Sequence, residues 1–467
     1  LGLGLPVSFS ETQVVEFARG LGAALDTYDL ALAGGDTCRS DAGLVISVTV
    51  QGVCPQGQRI LRSGGRAEDE LWVSGALGDS ALALALSGSG LSLALIEPQP
   101  LVRKDLPAER SADSFDARVS ALTPRSVAFL ERLGVWERVV AYRQCAYSHM
   151  TVWDAEGTGR IEFDRSELGV PALGHIVENR AITDSLLAAL EHSRDVQTCN
   201  PDRLEACQRT SDDRLLLSLQ SGRQLRAKLL VGADGAMSRV RQMLEFRTRE
   251  WDYGHRALVC TVQTANDHRD TAWQRFLPTG PLAFLPLPGT AEHHLCSIVW
   301  SLQEAVAEEV LALSDAAFCA RLGSAFEETL GPVVASSPRF AFPLRQRHAV
   351  DYIQPGVALV ADAAHTIHPL AGQGINLGLL DVMVLAEEVL AACEAGGSPG
   401  TIETLRRYQR RRKGDNLLMM AAMDGFKRLF EQQAPPIRWL RNAGMRQLGR
   451  LLPVKRQIIR RAMGIGE

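Results

Sequence analysis

Apolar and polar positions follow different regimes along this chain, and each predicts a different kind of element. At two places an unbroken apolar run reads as a buried strand that feeds a loop and then a helix. Residues 357–360 form one such strand, ending at Asp362; a loop with His365, His368 and Pro369 follows, and Gly372, Gln373 and Gly374 open an apolar helix. Residues 228–241 repeat the scheme: the run ends in Gly232, Ala233, Asp234 and Gly235, and Ser238 with Arg241 opens a helix. Elsewhere the alternation is short. Residues 150–163 predict a hairpin turning at Gly157 and Gly159, and 246–350 alternate β-like runs (257–262, 282–287, 294–300) with a helical patch at 311–326. Residues 124–133 predict a helix stopped by Gly134.

The two ends differ from this body. Residues 1–88 read as α/β material, with an amphipathic helix over 14–25 and strands over 30–33, 44–52 and 70–75. Residues 405–467 hold 16 Lys and Arg against 4 Asp and Glu, a local balance of +12, interleaved with Leu429, Phe430, Ile437, Trp439, Leu440, Leu448, Leu451 and Leu452. That is the pattern of amphipathic helices, broken here at Pro435, Pro436 and Pro453. Such helices have two uses: docking on a membrane surface, or packing on the protein body with a solvated outer face.

Composition narrows the class. With 467 residues, 46% hydrophobic and 22% charged, the chain can bury two or three domain cores. A net charge of −4 argues against nucleic acid as a partner. Nine cysteines (Cys38, Cys54, Cys145, Cys199, Cys207, Cys260, Cys296, Cys319, Cys393) are scattered with no CxxC pair and no metal-ligand spacing, which fits free thiols in a reducing cytosol. The longest apolar stretch, 81–96, falls short of the ~20 residues that span a bilayer, and the start at Leu1 carries no basic signal-peptide region. A first residue other than Met is what a fragment or an unusual gene start would give.

The stretch 356–381 has the chemistry for a large polar cofactor. Asp362 can accept hydrogen bonds from sugar-like hydroxyls, the glycines permit close backbone approach, and free N–H groups at the helix start favour negative charge. The same residues also serve an ordinary strand-to-helix connection, in which Asp caps and Gly turns.

With GVALVADAAHTIHPLAGQGINLGLLD, the chain resembles the second FAD motif of class A flavoprotein monooxygenases, and specifically the ubiquinone-biosynthesis hydroxylases. The resemblance implies that Asp362 holds the ribityl chain and that Pro369, Gly372 and Gly374 lie along the isoalloxazine ring, with Gln373 and Asn376 of the same stretch among the cofactor contacts. KLLVGADGAMSRVR is similar to the family's DG motif, which makes Asp234 and Gly235 FAD contacts in a segment also associated with pyridine-nucleotide binding. DARVSALTPRSVAFLERLGVWERV brings Arg118 toward the flavin; as a bare residue it could equally pair at the surface with Asp116 or Glu131. HIVENRAITDSLLAALE adds Asn179 and Arg180, and SGSGLSLALIEPQP places Glu97 where an acid would bind the adenosine ribose.

The first FAD motif is altered. Counted back without gaps from Gly88, the three glycine positions of GxGxxG fall on Ser74, Ala76 and Asp79. A carboxylate at that helix start would occupy or repel the place of a phosphate, so the expected FAD site is damaged at its diphosphate end. In front of it, AGGDTCRSDAGLVISVTVQG, ILRSGGRAEDELWVSG and LGDSALALAL resemble the middle of thiamine-monophosphate kinase, whose magnesium and phosphate site would correspond to Asp36, Thr37 and Asp79. This resemblance covers less than a third of such a kinase, and Asp36 after Gly34 and Gly35 also reads as a simple turn.

The expected fold is α/β with α+β elements: a Rossmann-like FAD-binding domain of the class A flavin monooxygenase type, an interleaved β-sheet substrate domain and a C-terminal helical segment. Its parts are a kinase-like remnant (1–69), FAD-domain segments (70–145, 174–245, 351–400), a substrate-domain hairpin (146–173) and sheet (246–350), and amphipathic helices (401–467). Apolar residues such as Phe276, Phe284 and Trp300 would line an oily pocket or simply fill the core. The resemblance implies an FAD- and NAD(P)H-dependent monooxygenase that uses O2 to hydroxylate a polyprenylated phenol or quinol. No side chain is assigned a catalytic role, because the flavin carries the oxygen chemistry. No metal is expected. The expected setting is the cytoplasm, peripheral at the inner face of the membrane or in a ubiquinone-biosynthesis complex. A non-catalytic or chimeric remnant and a thiamine-monophosphate kinase fragment are the alternatives.

Overall fold

The computed structural model describes residues 2–5, 36–39, 45–47, 75–212, 214–290, 294–366, 374–432 and 434–464. The chain separates into two compact units, Leu1–Leu71 and Trp72–Glu467. In the first, Gly2–Leu5 pairs in parallel with Asp36–Arg39 and antiparallel with Val45–Ser47. Asp36 therefore lies in a strand rather than in a turn, and of the strand expected over 44–52 the described residues, Val45–Ser47, are in a strand. The elements expected at 14–25 and 30–33 lie outside the described residues. Of the strand expected at 70–75, only Gly75 is described, and it opens a helix.

The second unit is built around parallel strand pairs. Leu93–Ile96 pairs with Val196–Cys199, and Leu230–Gly232 with Val357–Leu359. Parallel strands covered on both faces need apolar residues throughout, and Val357, Ala358, Leu359 and Val360 are all buried. The helices Gly75–Leu86, Asn179–His192 and Gly374–Glu394 pack with them, so that Ala81, Leu82, Ile182, Leu186, Leu379 and Val382 share one core. A Cβ at Gly232 would come within 2.8 Å of Leu359 and 3.0 Å of Val240, so only glycine lets strand and helix close there. The strand expected to reach Asp362 stops at Leu359. Ala361 takes a φ of +53° and opens a single 3-10 turn, Ala361–Ala363, which ends the extended run.

The helix Pro124–Arg132 forms as expected: the Thr123 hydroxyl accepts from the Ser126 N–H at 3.3 Å, Pro124 holds the first position, and Gly134 follows at a φ of +69°.

A nine-stranded sheet covers this body. Its order runs His365–Thr366, Phe340–Ala349, Thr248–Thr264, His294–Gln303, Gly280–Leu287, Thr271–Leu277, His149–Asp154 and Arg160–Asp164, with Val333–Ser336 beside Thr248–Thr264. The expected hairpin is its last pair. Side chains alternate between two cores: Leu282 and Phe284 face the helices Glu304–Leu311 and Asp315–Ala325, while Ala283, Leu285 and Leu287 pack with Phe115, Ala121 and Ile176. Phe284 and Trp300 are core beneath those helices, and Phe276 stacks on Phe430 with ring centroids 3.9 Å apart.

The tail forms the helices Ile402–Glu431, Pro435–Arg450 and Leu452–Ala462, and its prolines sit in first turns, where a missing N–H costs nothing. Part of its positive charge is spent inside the protein. Arg412 pairs with Asp381 at 2.8 Å, Arg441 with Asp154 at 2.6 Å and Lys455 with Glu167 at 2.6 Å, each cation buried. Phe426, Trp439 and Leu440 stay 51%, 69% and 66% exposed. Among the described residues no helix is long and apolar enough to cross a membrane.

Candidate functional site

Asp234 and Asp362 lie just beyond the carboxyl ends of two adjacent parallel strands, in the register Gly232 to Leu359, where open α/β sheets bind ligands. Asp234 Oδ2 accepts the N–H groups of Arg239 at 2.7 Å and Val240 at 3.1 Å, which caps the short helix Arg239–Met243; its Oδ1 is buried without a partner. Gly235, at a φ of +78°, makes the turn between them. The buried Arg241 guanidinium donates to the carbonyls of Ala363 at 2.8 Å and Ala236 at 2.6 Å. Burial, then the nearby Arg347 charge, holds its pKa below the usual arginine value, against the pull of Asp234, Glu250 and Asp362. Asp362 thus shares one field with Asp234 through Arg241.

The other parallel pair carries Glu97. Its N–H donates to the Cys199 carbonyl at 3.2 Å and its Oε1 accepts the Gln99 N–H at 2.9 Å. Asp79, one turn into the Gly75–Leu86 helix, has a buried Oδ1 without a partner. Burial, then the charges of Glu97 and Asp234, push the Asp79 carboxyl well above the usual range; burial raises Glu97 too, opposed by the Gln99 N–H.

This donor and acceptor set fits one part of a flavin dinucleotide and not another. Carboxylate oxygens such as Glu97 Oε and the unpartnered Asp234 Oδ1 are acceptors for sugar hydroxyls. A diphosphate needs N–H donors and positive charge, and Asp79 sets a third carboxyl into that region. With Asp79 ionised, the diphosphate end does not fit.

Arg118, Asn179 and Arg180 flank a separate antiparallel pair, Val119–Leu122 with Gly174–Glu178: Arg118 precedes the first strand, Asn179 and Arg180 open the helix after the second, and the Asn179 N–H donates to the Arg118 carbonyl at 3.0 Å. The Arg118 guanidinium lies over the Phe342 ring, 5.2 Å from its centroid, rather than pairing with Asp116 or Glu131. Asn179 Oδ1 accepts the Ser120 hydroxyl at 2.6 Å. Arg180 turns to Glu178 at 2.6 Å and the Tyr142 hydroxyl at 3.3 Å, and Glu178 also holds Arg143 at 2.6 Å and the Asp116 N–H at 2.5 Å. Asn376 braces the same region: its Oδ1 accepts the Thr123 N–H at 2.9 Å and the Ser126 hydroxyl at 2.8 Å, and its Nδ2 donates to the Ala121 carbonyl at 2.8 Å. Gly374 opens its helix as expected, while Pro369, Gly372 and Gln373 lie outside the described residues.

Two polar knots escaped the sequence reading. One is Glu178 with Arg143 and Arg180. The other is Asp381, fully buried, with His365 at 2.5 Å, Arg412 at 2.8 Å and Asn416 at 3.1 Å. Asp381, a carboxylate within the apolar run 377–386 of the helix Gly374–Glu394, was the visible signal for the second. Among the described residues no group of His, Cys, Asp and Glu could hold a metal ion.

Parallel strand pairs under a large, mainly antiparallel sheet define a flavoprotein monooxygenase fold. The structure of p-nitrophenol 4-monooxygenase PnpA from Pseudomonas putida is similar, with a TM-score of 0.63 at 20% identity, covering 82% of this chain and 94% of that one. The FAD binding domain family matches residues 82–418, a span that begins after Asp79. The chain is 40% identical to 3-demethoxyubiquinol 3-hydroxylase of Escherichia coli, over 84% of this chain and 97% of that protein. It is 35% identical to ubiquinone hydroxylase UbiL of Rhodospirillum rubrum, over 86% and 91%. The chain belongs to the family of FAD-dependent ubiquinone hydroxylases.

Proposed function

We propose that this enzyme is an FAD- and NAD(P)H-dependent monooxygenase that hydroxylates the ring of a polyprenylated phenol or quinol in ubiquinone biosynthesis. The observation that carries this reading is the likeness to 3-demethoxyubiquinol 3-hydroxylase along 97% of that protein, joined to the two aspartates at adjacent strand ends. In this reading Glu97 binds the adenosine ribose, Asp234 and Gly235 the dinucleotide, and Asp362 the ribityl hydroxyls. Pro369, Gly372, Gln373 and Gly374 lie along the ring, with Arg118, Asn179, Arg180 and Asn376 holding the surrounding shell. Bound flavin supplies the activation of O2 by reduced cofactor. The chain's own part is to bind and orient the flavin and the substrate ring and to keep water out.

Segments 70–145, 174–245 and 351–400 form the FAD domain in this proposal, and 146–173 and 246–350 the substrate domain. The helices of 401–467 meet a membrane surface or a biosynthetic complex, placing the enzyme in the cytoplasm at the inner face; exposed Phe426, Trp439 and Leu440 beside basic residues support that reading. Residues 1–69 are read as a remnant resembling thiamine-monophosphate kinase. The kinase activity itself is disfavoured, because the FAD binding domain family matches residues 82–418 and 3-demethoxyubiquinol 3-hydroxylase aligns with 84% of the chain.

The test is to reconstitute the purified protein with FAD and supply NAD(P)H, O2 and a short-chain prenylated phenol in detergent. A yellow protein that adds one oxygen atom to the ring supports the proposal. A protein that stays colourless after reconstitution overturns it.

A further inference from the structure

Ala361 carries its φ of +53° without being glycine, directly before Asp362. An L-residue avoids this left-handed region unless its surroundings hold it there. The hold is visible. The Ala361 N–H donates to Asp381 Oδ2 at 3.1 Å, and that oxygen also meets His365 Nε2 at 2.5 Å. Asp381 Oδ1 is fixed in turn by Arg412 at 2.8 Å and Asn416 at 3.1 Å, both from the Ile402–Glu431 helix. Burial opposes the charge on Asp381, but His365, Arg412 and Asn416 outweigh it and keep its pKa below the usual carboxylate value. One turn earlier on the same helix face, a Cβ at Gly378 would come within 2.8 Å of the Ala361 Cβ. Helix Gly374–Glu394 is therefore shaped around Ala361, with an acceptor on one side and a gap on the other.

The segment it grips leads to the proposed cofactor contact. On its far side, Arg241 holds the Ala363 carbonyl at 2.8 Å, and His365 pairs with His348 at the edge of the large sheet. Between these fixed points lies Asp362. We propose that Asp381 is a positioning residue: together with His365 and Arg412 it holds Ala361 in the left-handed conformation and so aims Asp362 at the flavin's sugar chain. The inference rests on the reading of Asp362 as a flavin contact and extends it to a residue that touches no cofactor.

The experiment titrates the full-length apoprotein with FAD, following flavin fluorescence, with far-UV circular dichroism as a check on folding. Asp381→Asn keeps the size but turns one of the two carboxylate oxygens into an NH2 group and removes the charge, so either the oxygen that takes Ala361 and His365 or the one that takes Arg412 and Asn416 is lost. It should weaken FAD binding about tenfold, the cost of an unsupported left-handed alanine. Ala361→Gly in the Asp381→Asn background should restore the affinity, because glycine takes that conformation unaided. In an Asp362→Ala background, Asp381→Asn should cost nothing more, since the aimed side chain is already gone. An unchanged affinity, a failed rescue or additive losses would each overturn the positioning role. If Asp381→Asn does not fold, Gly378→Ala asks the same question without touching the ion pair: it should weaken FAD binding, and an unchanged affinity overturns the proposal. Asp362→Ala alone separates the two readings. Flavin retained by that variant removes Asp362 from the site, whereas flavin lost there and kept in Asp381→Asn removes only the positioning role.

Discussion

The Arg241 guanidinium donates to the Ala363 carbonyl at 2.8 Å, across 122 residues of sequence. This bond joins the two strand-to-helix motifs at the place where both end in an aspartate. Its second bond, to Ala236 at 2.6 Å, closes the turn after Asp234 on itself. One buried cation therefore ties the turn after Asp234 to the turn around Asp362 and feels the charge of both.

Replacing Arg241 with Ala should cost about 3 kcal/mol, because the buried Ala363 carbonyl loses its charged donor and the Ala236 carbonyl is left with Arg347. The same variant should lose flavin on gel filtration, since the turns that carry Asp234 and Asp362 would lose the cation that joins them. Urea denaturation and the flavin-to-protein absorbance ratio check the two effects. A variant as stable as the parent would show that water replaces the guanidinium fully.

Asn376 stands in the first turn of the helix Gly374–Glu394, and its amide is directed at Thr123, Ser126 and Ala121. Asn376→Ala should destabilise the protein by about 2 kcal/mol, because the Thr123 N–H and the Ala121 carbonyl stay buried without partners. Asn376→Asp should recover less than half of that loss, since Asp can accept from Thr123 but cannot donate to Ala121. Denaturant titration of the apoprotein measures both, and it separates this bracing role from cofactor contact, which would weaken FAD binding at unchanged stability.

What the sequence made legible follows from periodicity and from backbone chemistry. The runs 228–241 and 356–381 announce strand, turn and helix because their apolar positions are continuous and their glycines sit where close approach demands them, as Gly232 against Leu359 confirms. The sheet of 246–350 was readable for the same reason. Polar knots were not. Glu178 and Arg143 lie 35 residues apart, and Asp381 and Arg412 lie 31 apart, so no spacing rule links them. The positive tail misled in part: Arg412, Arg441 and Lys455 are charges of the interior, and only burial could distinguish them from charges facing a membrane.

That distinction leads to a test of the tail. If Phe426, Trp439 and Leu440 enter a lipid surface, the protein should float with vesicles that contain anionic lipid and float less with neutral ones. Trp439→Ala with Leu440→Ala removes side chains that are 69% and 66% exposed, so flotation should fall with little change in stability. Flotation that is unaffected by the double variant would assign the exposed residues to another use.

The seam between the two resemblances comes down to Asp79. Its carboxyl is enclosed, lacks a partner on Oδ1, and is pushed up first by burial and then by Glu97 and Asp234. A carboxyl whose folded pKa is raised binds more protons in the folded state than in the unfolded one over the interval between the two values. Stability therefore falls as pH rises from the unfolded value, about 4 for Asp, and the loss is complete above the raised folded value. Asp79→Asn should remove this penalty: the variant should match the parent near pH 4 and exceed it in stability by pH 8, read by chemical denaturation of the apoprotein. Removing the charge should also favour a diphosphate at that helix start, tightening FAD by roughly tenfold if the gain is ~1–2 kcal/mol. Riboflavin, which has no phosphate, should bind both forms alike. Equal gains for FAD and riboflavin would mean that Asp79 acts on the whole pocket through the fold rather than on the diphosphate through its charge.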